Sequence, residues 1–211
     1  MNLDNLDLWI VEHQNLVTTP HLDTTKNTLH KILSNYVVEK SLHITYNHHG
    51  KPMLENSNVC FSVTHTMNIM VVAVTHGIAV GVDIELATRK VHDPIAIAKR
   101  FFHEKELHYL DTALQATTFL ELWTVKEAYV KMKGVGLKYG LDKFYVDTVQ
   151  QTIVDIIDNA SHGYNLLNLQ NDYICGIVPH FKHVSLKTFS RMDPDRDTRV
   201  RRDDGSFSHK T

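Results

Sequence analysis

Two kinds of periodicity meet at Glu85, and that switch limits the chain to folds in which helices stack on small sheets. Before it, apolar and polar residues alternate as strands require. Leu6 to Val11, Ser41 to Tyr46, Asn58 to Val63, Ile69 to Thr75 and Ile78 to Glu85 all read this way. One helix interrupts them, with leucine and isoleucine at near-helical spacing from Asp23 to Tyr36. Asn47-His48-His49-Gly50 is a turn by composition, and His76-Gly77 suits a hairpin between the last two strands.

After Glu85 the pattern is helical. Asp93-Pro94 forms an N-cap and first-turn pair for a helix reaching about Arg100. Thr118 and Glu121 have capping-box spacing, and Gly134 stands where a glycine C-cap belongs, which predicts a helix body from Phe119 to Lys133. Strands return from Phe144 to Ile157 and from Tyr164 to Val178, with a turn over Asp158 to Gly163. The order predicts an α+β chain whose halves are two similar lobes meeting near Val80: residues 1–79, residues 80–190, and a tail at 191–211. That tail is rich in Asp, Arg and Ser and is expected to be disordered.

Composition excludes several classes of function. A net charge of -2, with the only dense arginine run broken by aspartates, argues against a nucleic-acid binder. The longest apolar runs are strand-sized, far below the ~20 residues that cross a bilayer, and Met1 to Glu12 does not read as a secretory signal. A cytoplasmic, monomeric protein is expected. Cys60 and Cys175 sit in apolar runs and read as reduced, buried thiols. The histidines number 15, with His43, His48 and His49 the densest group, but they lack the partner spacing of a zinc site.

The chemistry points to acids. In Gly81-Val82-Asp83-Ile84-Glu85 both carboxylates project from one strand face while Val82 and Ile84 face the other. Two such charges about 7 Å apart repel by roughly 2–3 kcal/mol at an effective dielectric near 20, a cost that water or a divalent cation relieves. Magnesium bound through oxygen is the simplest occupant. On the later helix Trp123, Glu127 and Lys131 share one face, which suits either a site for phosphoryl chemistry or an ordinary i,i+4 salt bridge.

Five blocks in order carry a family resemblance: Gly50-Lys51-Pro52, Phe61-Ser62-Val63-Thr64-His65-Thr66, Gly81 to Glu85, Arg100-Phe101-Phe102-His103-Glu104-Lys105-Glu106, and Trp123-Thr124-Val125-Lys126-Glu127-Ala128-Tyr129-Val130-Lys131. Together they resemble the signature of the 4'-phosphopantetheinyl transferase superfamily, and the length suits its two-lobed Sfp type. The resemblance implies an α+β fold of two pseudo-twofold lobes, each a small, mostly antiparallel sheet with a packed helix, and an active site between them. It implies transfer of the phosphopantetheine arm of coenzyme A to a serine of an apo acyl or peptidyl carrier protein, in fatty-acid or secondary-metabolite synthesis, with release of 3',5'-ADP. Asp83, Glu85 and Glu127 would then ligate magnesium, with manganese an alternative. Lys51 and Pro52 would lie near the adenine, and Lys26, Thr64 and His65 near the 3'-phosphate. Lys126 and Lys131 would contact phosphate oxygens. Glu127, Lys131 and His65 are the catalytic candidates, with Glu127 as base for the serine.

Two other readings remain: a carrier-binding module without catalysis, and a metal-dependent nuclease, whose Glu-x-Lys would have to lie on a strand. Tyr129, Met132 and Tyr139 read as core or as an apolar patch for the carrier's helix.

Overall fold

A computed structural model of the 211-residue chain describes residues 5–12, 21–37, 42–67, 69–110 and 115–189. The tail predicted at 191–211 lies outside them. The elements run β1 (Asn5–Glu12), α1 (His21–Leu33), β2 (Ile44–Tyr46), β3 (Pro52–Leu54), β4 (Val59–Thr66), β5 (Ile69–His76), β6 (Gly81–Leu86), α2 (Pro94–Phe101), α3 (Gln115–Lys133), β7 (Phe144–Asp147), β8 (Thr152–Asp155), β9 (Ser161–Gly163), β10 (Asn165–Leu169), β11 (Tyr173–Val178) and β12 (His183–Phe189). The predicted mixture of helices and small sheets is thus present.

Strand alternation builds the layers. In β1, Leu6, Leu8 and Ile10 face one way and Trp9 and Val11 the other; in β5, Ile69, Val71 and Ala73 oppose Met70, Val72 and Val74. Both faces therefore need a cover. Val82 and Ile84 of β6 with Cys175 and Ile177 of β11 cover the first, and Leu29, Ile32 and Leu33 of α1 cover the second. The four-stranded sheet β12-β1-β5-β4 is thereby packed between α1 and the three-stranded sheet β10-β11-β6. On the far side of that second sheet lies α3, in a core with Phe102, Leu110, Phe144 and Ile174.

Two glycines set how closely α3 approaches. A Cβ on Gly81 would stand 1.8 Å from the Ala128 carbonyl oxygen, and one on Gly176 would stand 2.9 Å from that of Thr124. Thr124 and Ala128 are one helical turn apart, so the two bare positions accept the same stripe of α3. The sheets adjoin at β4 and β6, where Val82 N donates to Ser62 Oγ at 3.1 Å and Thr64 Oγ1 donates to Asp83 Oδ1 at 2.9 Å.

Several sequence expectations change. His76-Gly77 does not close a hairpin, since β5 pairs with β1 and β4 whereas β6 pairs with β11. Every β5 residue from Ile69 to Thr75 is buried, and a strand so apolar is flanked on both edges. The predicted strand from Ile78 begins only at Gly81, and the helix predicted from Phe119 begins at Gln115, so Thr118 and Glu121 lie inside it rather than at its cap. Asp93 does cap α2, accepting from Ala96 N at 2.9 Å, and Gly134 ends α3 with φ 69. The Phe144 to Ile157 stretch is two strands, β9 occupies part of the predicted turn, and β12 returns to pair in parallel with β1. Cys175 is buried as expected but Cys60 only partly, and both are free.

The close approach of α3 gives a direct test. Gly81→Ala should destabilise the chain by about 3 kcal/mol, the upper end of overpacking costs, because its methyl meets backbone rather than a side chain that can swing away. Urea denaturation followed by circular dichroism measures it.

Candidate active site

Alternation in β6 sends Val82 and Ile84 into the core between the sheets and leaves Asp83 and Glu85 on the side facing α3. From α3, residues Trp123, Glu127 and Lys131 recur every four positions and meet them. The adjoining end of β4 adds Val63, Thr64 and His65, and together these side chains line one cleft of about 420 Å³. The shared helix face read from the sequence is therefore real, and it does not form an exposed salt bridge within the helix.

Asp83 is 7% exposed, and its Oδ1 accepts from Lys131 Nζ at 2.7 Å as well as from Thr64 Oγ1 at 2.9 Å. Glu85 pairs with Arg89. Burial raises the Glu85 carboxyl above its usual range, Arg89 opposes the shift, and Asp83 adds to it. Glu127 has no hydrogen bond or ion pair among the described residues. Burial, then the charges of Asp83 and Glu85, push it up to about 6, with Lys131 opposing. Among the described residues no three Asp, Glu, His or Cys side chains are already gathered as a metal site. Lys131 and Arg89 instead engage Asp83 and Glu85.

A second cleft of about 300 Å³ adjoins the first and shares Val63, Glu127 and Lys131 with it. Lys51 and Pro52 line it, together with His49, Gly134 and Leu137. Lys51 does not present its ammonium to open space: Nζ donates to Val80 O at 3.1 Å and Met132 O at 3.0 Å, and burial lowers its pKa. His65 is exposed at the first cleft, Thr64 is buried with its hydroxyl committed to Asp83, and Lys26 is exposed on α1 and lines neither cleft.

Lys126 corrects the sequence reading. Expected at phosphate, it is fully buried, with Nζ 2.6 and 2.8 Å from the Glu106 carboxylate oxygens and 3.0 Å from Phe144 O. One residue before Glu127 is about 100° around a helix, so a lysine beside the site in sequence points into the core. Glu106, 0% exposed, also accepts from the Val146 and His103 backbone at 2.9 and 3.0 Å. Burial lowers the Lys126 ammonium to about 8, and Glu106 opposes that fall. Glu106, Arg89 and Asn47 were missed. Glu106 alone had a signal, an acid inside the Phe-Phe block with the apolar Leu107 and Leu110 following it, Leu110 being buried. Tyr129 and Met132 are core and Tyr139 is half-buried against Phe144, so no exposed patch of all three exists. The nuclease reading falls with the helix, since Lys126, Glu127 and Lys131 all lie on α3.

The model of the 4'-phosphopantetheinyl transferase superfamily matches residues 79–178, which include Asp83, Glu85, Glu127 and Lys131. The chain is 36% identical over 151 residues to the 4'-phosphopantetheinyl transferase gsp of Aneurinibacillus migulanus, covering 69% of this chain and 62% of that protein. It is 34% identical over 155 residues to a 4'-phosphopantetheinyl transferase of Bacillus subtilis, covering 68% and 67%. Against the 4'-phosphopantetheinyl transferase Sfp of Bacillus subtilis strain 168 it is 31% identical over 140 residues, covering 63% and 61%. The chain thus spans about three-fifths of the first and last of these relatives.

Buried Glu106 and half-buried Glu127 behave differently under mutation. Glu106→Ala leaves an unpaired buried lysine and should cost about 3–5 kcal/mol in urea denaturation, much of it recovered in Glu106→Leu/Lys126→Met. Glu127→Gln should do the opposite. Its folded pKa of about 6 lies above the ordinary glutamate value of 4.5, so the wild-type carboxyl contributes fully below pH 4.5 and loses that contribution as pH rises through 6. Thermal melts without divalent ions should show Glu127→Gln more stable than wild type at pH 7.5, with no gain at pH 4.

Proposed function

The chain belongs to the 4'-phosphopantetheinyl transferase superfamily, and we propose that it moves the phosphopantetheine arm of coenzyme A onto a serine of an apo acyl or peptidyl carrier protein. The observation that carries this reading is the convergence of Asp83 and Glu85 from β6 with Glu127 and Lys131 from α3 in one cleft. A phosphoryl-type transfer needs charge neutralisation and alignment more than covalent help, and this set offers both.

The donor set fits magnesium or manganese. All three carboxylates are hard oxygen ligands, the Glu127 carboxylate has no ion pair among the described residues, and burial followed by the charges of Asp83 and Glu85 raises its pKa, a repulsion that a divalent ion would relieve. Asp83, Glu85 and Glu127 would hold the ion, which supplies charge neutralisation at the diphosphate of coenzyme A. The chain's own residues do the rest. Glu127 takes the proton from the carrier serine as its oxygen bonds to the phosphorus bearing the pantetheine arm. The phosphoanhydride bond to the leaving phosphate breaks, and 3',5'-ADP departs with the bonding pair. Lys131, at the junction of the two clefts, stabilises the charge on that leaving phosphate. Lys51 and Pro52 form the wall for the adenine, and His65 with Thr64 faces the 3'-phosphate. The two halves are read as pseudo-twofold lobes with coenzyme A held across the β4–β6 seam. Cytoplasmic location and a monomeric state complete the proposal; no helix of the described residues is long and apolar enough to cross a membrane.

Incubation with coenzyme A, magnesium and an apo carrier protein, followed by intact-mass measurement of the carrier, tests the reading. One phosphopantetheine should be added, and chelator should stop the transfer. Asp83→Ala and Glu127→Ala should each lower the rate by about 100-fold or more. Carriers of several types left unmodified by the wild-type protein would sink the proposal.

A further inference from the structure

The last carbonyls of any α-helix lack partners within the helix. In α3 the chain supplies them from far away in sequence. Lys51 Nζ donates to Met132 O at 3.0 Å, and Asn47 Nδ2 donates to Gly134 O at 2.7 Å. Both donors sit in the turn between β2 and β3, and Lys51 also reaches Val80 O, just before β6, at 3.1 Å. A cation at a helix C-terminus is favourable in addition to its hydrogen bonds.

The turn is stiffened for this task. Asn47 Oδ1 accepts from His49 N and Lys51 N at 2.9 Å each, while Asn47 N donates to Lys51 O at 3.0 Å. The asparagine amide is thereby satisfied on both ends, its oxygen by its own turn and its nitrogen by α3. Gly134 matches it: a Cβ there would stand 2.9 Å from Asn47 Nδ2, and its φ of 69 already favours glycine.

These bonds join two segments that both line the second cleft. His49, Gly50, Lys51 and Pro52 line it from the turn and the start of β3, and Gly134, Gly136 and Leu137 line it from the end of α3 and the residues after it. Asn47 itself lines neither cleft. We propose that Asn47 and Lys51 form a clasp that fixes the relative placement of these two lining segments and so determines the fit of the nucleotide end of coenzyme A. Both are positioning residues, and the Lys51 ammonium acts on backbone carbonyls rather than on a phosphate. This assignment rests on reading the clefts as a coenzyme A site.

Asn47→Asp is the informative variant, because it keeps the acceptor that holds the turn and removes the donor to Gly134. Lys51→Met removes the ammonium and keeps the apolar stem. Calorimetric titration of the full chain with coenzyme A and with 3'-dephospho-coenzyme A, in magnesium, should show both ligands weakened by roughly tenfold or more in each variant, and by the same factor. Amide hydrogen exchange of the ligand-free protein should accelerate over residues 130–137 and stay unchanged in β1. Unchanged exchange together with unchanged affinity overturns the clasp. A loss confined to the ligand bearing the 3'-phosphate overturns it too, since Lys51 would then be a direct phosphate contact. If the wild-type chain binds neither ligand, the transferase reading falls and the nucleotide role of the clasp falls with it. The exchange rates still decide whether the clasp holds the helix end.

Discussion

The contact of α3 with the bare backbone at Gly81 and Gly176 is the constraint on which the rest of this structure depends. A helix ordinarily rides on a sheet at a distance set by the side chains between them. Here two of those side chains are missing, and the helix backbone comes down onto β6 and β11. Asp83 and Glu85 follow Gly81 along the same face of β6, and Glu127 precedes Ala128, the residue that meets Gly81. Side chains from separate elements can therefore share one cleft.

That arrangement concentrates negative charge at a cost to stability. Lys131 and Arg89 each neutralise one carboxylate, and Glu127 is left with a pKa raised by burial and then by the charges of Asp83 and Glu85. The ion pair of Lys126 and Glu106 is built differently: both groups are fully buried, every partner is internal, and Phe102 and Phe144 lie beneath the ammonium at 5.1 and 4.4 Å. It ties α3 to the segment after α2 and to β7. The same helix thus presents one lysine to the core and another to the cleft, and the two serve unrelated ends.

Much of this was legible in the sequence because it follows from periodicity. The two-residue spacing of Asp83 and Glu85 and the four-residue spacing of Trp123, Glu127 and Lys131 fix faces regardless of tertiary context, and the structure keeps both faces. Asp93 and Gly134 were legible as caps for a local reason, since a side-chain acceptor and a positive φ act within a few residues. Features set by distant partners were not. The pairing of β6 with β11 rather than β5, the return of β12 to β1, and the burial of Lys126 against Glu106 each depend on what the rest of the chain brings alongside. The role of Lys51 was hidden for the same reason: a lysine in a polar turn looks free until the end of α3 is placed beside it.

The central claim is that acids from β6 and α3 act as one divalent site. Calorimetric titration of manganese into the protein, with coenzyme A present, tests it most directly. The account predicts a single ion-binding event per chain that is lost alike in Asp83→Asn, on the strand, and in Glu127→Gln, on the helix. Ion binding that survives intact in Glu127→Gln would contradict it, because the helix would then contribute nothing to the site.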